Sequence, residues 1–225
     1  MARHPELVGH RGDPLHEAEN SLASFDSAIA KGAGAVEGDV RRTADGVWVV
    51  FHDRNLKRMT GARGSVSRSR WDRLRQLHIP RVSDLLSFCR KKGVTLYLDI
   101  KIPQGEKQLL SVLRRSGWLH RTVICASVPS SLKRWRTLLR AHPIFWVTGH
   151  RKRVTPRRVA MATSLKLTGF LSYKRWVTPA AVGRVHEAGL RIYLWTVRTP
   201  REIKRFASFG VDGMMSELWP PPSIS

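Results

Sequence analysis

Short runs rich in Val, Ile and Leu alternate along the chain with longer stretches in which apolar residues recur every three or four positions. The first kind reads as buried strand and the second as amphipathic helix. Strands are predicted at Leu7–His10, Ala35–Val40, Val47–Phe51, Val94–Ile100, Thr122–Ala126, Ile144–Val147, Thr168–Leu171, Arg191–Thr196 and Val211–Met215. Several of the intervening helices have readable ends. Thr199-Pro200-Arg201-Glu202 supplies an N-cap, a proline at the first helical position and a capping-box glutamate, with Ile203, Phe206 and Ala207 facing inward and Gly210 as the stop. Thr178-Pro179 opens the preceding helix in the same way, with Val182 and Val185 inward and Gly189 at its end. A further helix is predicted from Ser83-Asp84 to Lys91-Lys92-Gly93, where the cations complement the helix dipole.

Strand, capped helix, glycine, strand is the rhythm of right-handed βα units, and no linker or repeat breaks it, so residues 1–225 read as one domain. The pattern leaves two architectures open. Nine strands are one too many for an eight-stranded β/α barrel, and an open doubly wound sheet also fits, although no GxGxxG or Walker loop follows the first strand. Val47–Phe51 follows Ala35–Val40 across Ala44-Asp45-Gly46 with no room for a crossover helix. Its pairing is open at this level.

Composition narrows the class. Of 225 residues, 42% are hydrophobic and 25% charged, which excludes a mainly disordered chain. The balance of charge is unusual: 40 Lys and Arg against 17 Asp and Glu give a formal net charge of +23, which favours an anionic partner such as a phosphate ester, a nucleic acid or a lipid surface. Cys89 and Cys125 lack metal or redox spacing and are expected to be reduced core residues. With no apolar run long enough to span a bilayer and no apolar leader, a cytoplasmic protein is expected.

The candidate chemistry gathers at strand ends. His10-Arg11-Gly12 closes the first strand, pairing a proton carrier with a forked phosphate ligand before a glycine turn. Glu37-Gly38-Asp39 puts two carboxylates on one face of the second strand, an arrangement costly in a buried strand without a cation between them. His52-Asp53 ends the third strand, and Asp99 and Lys101 share a face at the end of the fourth. These are the positions where α/β sheets and barrels assemble their sites. Glu37, Asp39 and Asp99 together form an all-oxygen set suited to Mg²⁺ or Ca²⁺. Against these acids, Arg11 and Lys101 leave the pocket net negative; a divalent ion would make it net positive by one charge and ready for a phosphodiester.

In their order and spacing, His10-Arg11-Gly12, Glu19-Asn20-Ser21, Glu37-x-Asp39-Val40, Asp45-Gly46, Val49-Val50-Phe51-His52-Asp53, Leu56-x-Arg58-x-Thr60-Gly61, Ile79-Pro80, Asp99-Ile100-Lys101, Trp195-Thr196-Val197 and Gly210-Val211-Asp212-Gly213 resemble the glycerophosphodiester phosphodiesterase family, related to the phosphatidylinositol-specific phospholipases C. The resemblance implies a single (β/α)8 TIM barrel, regular or distorted, with a short insertion after the second or third strand. It also implies metal-dependent hydrolysis of glycerophosphodiesters to sn-glycerol 3-phosphate and an alcohol. In that frame His10 and His52 form the acid/base pair, Glu37, Asp39 and Asp99 hold the ion, Arg11 and Lys101 hold the phosphate, and Trp195 lines the pocket near the glycerol or the alcohol.

Glu19 and Asn20 are expected to be structural, Asn20 as a helix N-cap ahead of Leu22, Phe25 and Ile29. Three departures from the family pattern stand out: aspartate at position 99 where glutamate is usual, Gly38 in place of an apolar residue, which should loosen the strand, and a short Leu56–Val82 segment, which should leave the mouth open to bulkier substrates. The competing reading is a basic barrel that binds nucleic acid or an anionic membrane through clusters at Arg63–Arg75, Lys133–Arg140 and Arg151–Arg158. A mixed reading is a lysophospholipase D acting on lysophospholipids at a membrane face.

Overall fold

The strand segments just described close on themselves. The structure, a computed structural model, describes residues 4–221. Its strands are β1 (Glu6–His10), β2 (Ala35–Arg42), β3 (Trp48–Val50), β4 (Thr95–Ile100), β5 (Thr122–Ala126), β6 (Ile144–Thr148), β7 (Gly169–Tyr173), β8 (Arg191–Val197) and β9 (Gly213–Ser216). The sheet order is β1-β9-β8-β7-β6-β5-β4-β2, and the β1–β2 pairing closes it into an eight-stranded parallel barrel. The open doubly wound alternative is thereby excluded.

The ninth strand is accounted for by β1 being short. β1 pairs with β2 only as far as His10 opposite Glu37, so the higher part of that edge of β2 would carry unpaired backbone groups. β3 takes that edge, antiparallel, with Val40 opposite Val50 and Arg42 opposite Trp48. The returning chain then delivers Phe51, whose N–H donates to the Asp39 carbonyl at 2.8 Å, and with it His52, to the barrel mouth.

The helices are α1 (Leu22–Ala30), α2 (Lys57–Thr60), α3 (Trp71–Gln76), α4 (Val82–Lys92), α5 (Glu106–Arg115), α6 (Pro129–Leu138), α7 (Pro156–Ser164), α8 (Pro179–Glu187) and α9 (Pro200–Ala207). Thr178 and Thr199 cap α8 and α9 as their sequences require. α4 begins at Val82, and the Asp84 carboxylate accepts from the Arg81 backbone N–H. At α1 the cap differs from expectation: the Ser21 hydroxyl, not Asn20, accepts from Ser24 N–H, and Leu22 is exposed. Asn20 is freed for another task.

Alternation along each strand sorts the residues into two cores. Outward residues such as Val36, Val40, Leu96, Leu98 and Ile124 pack with helix residues Phe25, Leu85, Leu109 and Trp135. Inward residues Val8, Ala35, Tyr97, Phe145, Leu171, Tyr193 and Met215 fill the barrel. The floor is tied by Glu6, whose Oε2 accepts from the Tyr97 and Tyr193 hydroxyls at 2.6 and 2.7 Å. Cys89 and Cys125 are free and buried.

Gly38 does the opposite of loosening its strand. It faces outward, and a Cβ there would sit 3.1 Å from Leu85 Cδ2 and 3.3 Å from Val50 Cγ1, so its bareness admits close packing of α4 and β3. The Leu56–Val82 segment after β3 is anchored, because Leu56, Val66, Leu74 and Ile79 join Val49 and Phe51 in a small core of their own.

Candidate active site

Pleat geometry decides which residues reach the mouth. On β2 the inward set is Ala35, Glu37, Asp39, Arg41; on β4 it is Tyr97 and Asp99, continued by Lys101; on β1 it is Val8 and His10. In each case the lower residue is apolar or aromatic and fills the barrel, and the upper ones are polar and lie in its C-terminal opening. They line a cavity of about 430 Å³ that includes His10, Arg11, Glu37, His52, Asp99, Lys101, Tyr173, Trp195, Arg198 and Glu217. Of the residues expected to serve as acid/base, ion, phosphate or pocket-wall groups, Asp39 alone is not among those lining this cavity; it is fully buried.

The turn after β1 places Arg11. Arg11 is left-handed at φ 58° and Gly12 follows at φ 88°, where a Cβ would lie 2.4 Å from the Ser24 carbonyl carbon, so only glycine fits. The guanidinium is then held twice, Nη1 donating to Glu19 Oε1 at 3.0 Å and Nε lying 3.0 Å from Asp39 Oδ2. Asn20 is the residue that orients Asp39: its amide donates to Oδ2 at 2.8 Å, and its carbonyl accepts from Asp39 N–H at 3.0 Å. Glu19 and Asn20 thus belong to the site's scaffold.

Glu37, Asp39 and Asp99 each offer a buried oxygen within 4.8 Å of the others. Lys101 Nζ reaches Asp39 Oδ1 at 2.8 Å and Asp99 Oδ2 at 2.5 Å. Burial works against the Asp39 charge, yet Lys101 and Arg11 hold its carboxyl well below the usual range. Glu37 is in the reverse position: burial, then Asp39 and Asp99, push it well above its ordinary value. Lys101 is buried too, but the same carboxylates keep it charged.

These residues fit a hard divalent cation. The donors are all carboxylate oxygens, Asp39 Oδ1 is buried without an aligned hydrogen-bond donor, and Glu37 carries repulsion that a cation beside it would relieve. Aspartate at position 99 still brings an oxygen into the cluster despite its shorter side chain.

The two histidines line the same cavity and differ in setting. His10 is buried, with Nδ1 3.0 Å from Glu217 Oε1 and Nε2 4.0 Å from Glu37 Oε2. Burial lowers its pKa, and the Arg11 charge adds to that against the pull of Glu217. Burial alone would raise the Glu217 carboxyl, but hydrogen bonds from His10 and Arg198 bring it down to about 2. His52 lies at the rim with its side chain 35% exposed, and Nδ1 is 2.7 Å from Asp53 Oδ1. Arg58 ties Asp53 to Glu19 at 2.6 Å on each side, linking the rim to the Arg11 anchor.

Glu217 and Arg198 escaped the reading of the sequence. The signal for Glu217 was available, since it follows β9 immediately, at the same strand-end position as the other site residues. Arg198 carries the same signal, directly after β8, but its partner is 19 residues away in sequence and meets it only once β8 and β9 are paired. On the far side of the cavity Trp195 is half-buried, with its ring 4.8 Å from His150 and 5.1 Å from Tyr173, centroid to centroid. Trp195 is therefore a pocket wall as well as part of the packing.

Residues 10–217 match the model of the Glycerophosphoryl diester phosphodiesterase family. A glycerophosphodiester phosphodiesterase from Caldanaerobacter subterraneus is 24% identical over 229 residues, covering 94% of this chain and 93% of that protein. The crystal structure of a glycerophosphodiester phosphodiesterase from Thermotoga maritima superposes with a TM-score of 0.83 at 22% identity, over 96% of this chain and 95% of that one. An Oleispira antarctica phosphodiesterase in complex with the product sn-glycerol-3-phosphate superposes with a TM-score of 0.86 at 20% identity, over 95% and 93% of the two chains.

Proposed function

The chain belongs to the glycerophosphoryl diester phosphodiesterase family of phosphoric diester hydrolases, and from that premise we propose that it hydrolyses glycerophosphodiesters to sn-glycerol 3-phosphate and an alcohol at the mouth of its barrel. The observation that carries this is that two imidazoles, each backed by a carboxylate, line one cavity with a buried three-carboxylate cluster at its base. The phosphodiesterase from Oleispira antarctica, solved with sn-glycerol-3-phosphate bound, supports the same product here.

Glu37, Asp39 and Asp99 would hold the divalent ion, Mg²⁺ or Ca²⁺, which when bound supplies Lewis-acid stabilisation of negative charge on phosphoryl oxygens. Arg11 and Lys101 add fixed positive charge aimed into the cavity, preorganised because Glu19, Asp39 and Asp99 already hold them. His10 is the base. With Nδ1–H donated to Glu217, its Nε2 presents a lone pair to the cavity, and its lowered pKa keeps it neutral at neutral pH. His52, at the open rim, is the acid that protonates the departing alkoxide, with Asp53 and Arg58 fixing its ring. Trp195 gives the glycerol or alcohol an apolar face.

The nucleophile taken by His10 is water or the 2-hydroxyl of the substrate's own glycerol, the second giving a cyclic phosphate first. Phosphorus NMR of the product mixture separates these routes. A panel of glycerophosphodiesters assayed for glycerol 3-phosphate release, with chelator and after re-addition of Mg²⁺ or Ca²⁺, tests the whole reading. Chelation is expected to lower turnover by about 10²-fold or more. Release that is untouched by exhaustive chelation removes the ion from the mechanism, and no release from any member removes the reaction. Among the described residues no helix is long and apolar enough to cross a membrane.

A further inference from the structure

Beside the catalytic cavity, and sharing Lys101 with it, lies a second cavity of about 480 Å³. Its wall carries Arg41, Arg42, Arg54 and Arg68, together with Asn55 and Ser65, and no carboxylate. A third hollow shares Asn55, Ser65 and Arg68 with the second and adds Lys57, Arg63 and Arg73. The three form a continuous basic trough leading from Lys101 out across the 54–73 segment.

A net charge of +23 puts unpaired arginines on many surfaces, so the trough needs more than its charge to be a site. Three observations distinguish it. The arginines lining the catalytic cavity are neutralised, Arg11 by Glu19 and Asp39 and Arg198 by Glu217, as is Arg58 at its rim by Glu19 and Asp53. Among the described residues no carboxylate lies at salt-bridge distance from Arg41, Arg42, Arg54 or Arg68. Second, Arg41 and Arg42 are half-buried at the end of β2; Arg41 Nε donates to the His52 carbonyl at 2.7 Å, while the Arg42 guanidinium lies over the Trp48 ring and its buried Nε has no hydrogen-bond partner. Concentrated, partly desolvated cations without counter-charges are costly, and a bound anion offsets that cost. Third, the wall is built: Asn55 pairs with Ser65, Val66 N–H donates to the Arg54 carbonyl at 3.0 Å, and Leu56 and Val66 anchor the segment in its small core.

Register places the two cavities in sequence along the strand. Arg41 follows Asp39 on the same face of β2, one pleat repeat or about 6.6–7 Å farther along the strand.

Building on the hydrolase reading above, we propose that the preferred substrates are glycerophosphodiesters whose alcohol half carries a further phosphate group, and that Arg41, Arg42, Arg54 and Arg68 bind that second phosphate. Arg54 and Arg68, both exposed and outside the catalytic cavity, tune which diester is chosen. Charge-assisted contacts of this kind correspond to a preference of about 10- to 100-fold.

The test is a ratio. For the wild-type protein with its divalent ion, kcat/KM is measured on bis(glycerophospho)glycerol and on glycerophosphoglycerol, which lacks the second phosphate. The expected ratio is about 10 to 100 in favour of the former, falling towards 1 in the Arg54→Gln/Arg68→Gln double variant and in high salt. A wild-type ratio near 1, or a ratio the double variant leaves unchanged, overturns the proposal while leaving the hydrolase reading intact. Should neither diester be cleaved, the hydrolase reading fails on its own, and calorimetric binding of glycerol 1,3-bisphosphate against glycerol 1-phosphate decides the trough separately. There, tighter binding of the bisphosphate that the double variant abolishes upholds it, and equal binding ends it. Phosphatidylglycerol vesicles form the last arm: if the double variant loses vesicle binding but keeps its substrate ratio, the trough is a membrane face and the proposal falls.

Discussion

The two halves of the barrel mouth are built from different chemistry. The half from β1 to β4 contributes His10, Arg11, Glu37, Asp39, His52, Asp99 and Lys101, every group proposed for phosphate, ion and proton. The half from β6 to β8 contributes Val147, His150, Leu171, Tyr173 and Trp195, a largely apolar and aromatic wall. Glu217 and Arg198, at the seam where β8 and β9 meet β1, join the two by fixing His10. The division separates chemistry from fit: charges must be held rigidly where bonds change, whereas an apolar wall need only exclude water and match a shape.

If that division is right, changes in the first half damage turnover and changes in the second damage affinity. His10→Ala is expected to lower kcat by about 10² to 10⁴ with the circular dichroism of the folded barrel retained, and His52→Ala to behave alike. Two variants with wild-type kcat would dissolve the distinction. Trp195→Ala should raise KM by about tenfold with a smaller change in kcat, consistent with the loss of about 1–2 kcal/mol of apolar contact. A kcat collapse with KM intact would move Trp195 into the catalytic half.

The seam makes a subtler prediction. Glu217 is held at about 2 in the folded protein against an ordinary value of 4.5, so its pairing contributes stability that is fully present above pH 4.5 and lost as pH falls towards 2. Glu217→Gln should therefore lower stability near neutral pH, on the order of 1–3 kcal/mol, and flatten the acid-unfolding curve between those values, as urea titrations at several pH values would reveal. It should also lower kcat by freeing the His10 ring. Identical acid curves for the two proteins would detach Glu217 from that role. The smallest effect is expected at Gly38, behind the ion cluster: Gly38→Ala forces a methyl to within 3.1 Å of Leu85, and a loss of about 1 kcal/mol in denaturant titration would agree with overpacking. A gain in stability would restore the picture of a loosened strand.

What could be read from residues alone follows the range of the interactions involved. The β/α alternation, the capped starts of α8 and α9 and the glycine stop after α4 are local, so their signals lie within a few residues of one another. The pairing of Glu37 with Asp39 and of Asp99 with Lys101 was legible for the same reason, because a period of two along a strand is itself a local rule. Asn20 shows where local reasoning stops. A polar residue ahead of a helix reads as a cap, but Ser21 takes that place, and the Asn20 amide bonds Asp39 on the neighbouring strand β2 instead.

By itself, the amino-acid sequence determined the kinds of element, the strand ends that carry chemistry, the motif resemblance and the excess of positive charge. Only the tertiary structure decided that the sheet closes, that β3 covers the edge of β2 left free by a short β1, that Glu217 and Arg198 hold His10, and that four arginines without a salt-bridged carboxylate line one cavity beside Lys101. The reason is physical: closure and ion pairing join groups far apart in sequence, and which partners meet depends on strand register and on the burial that makes unpaired charge costly.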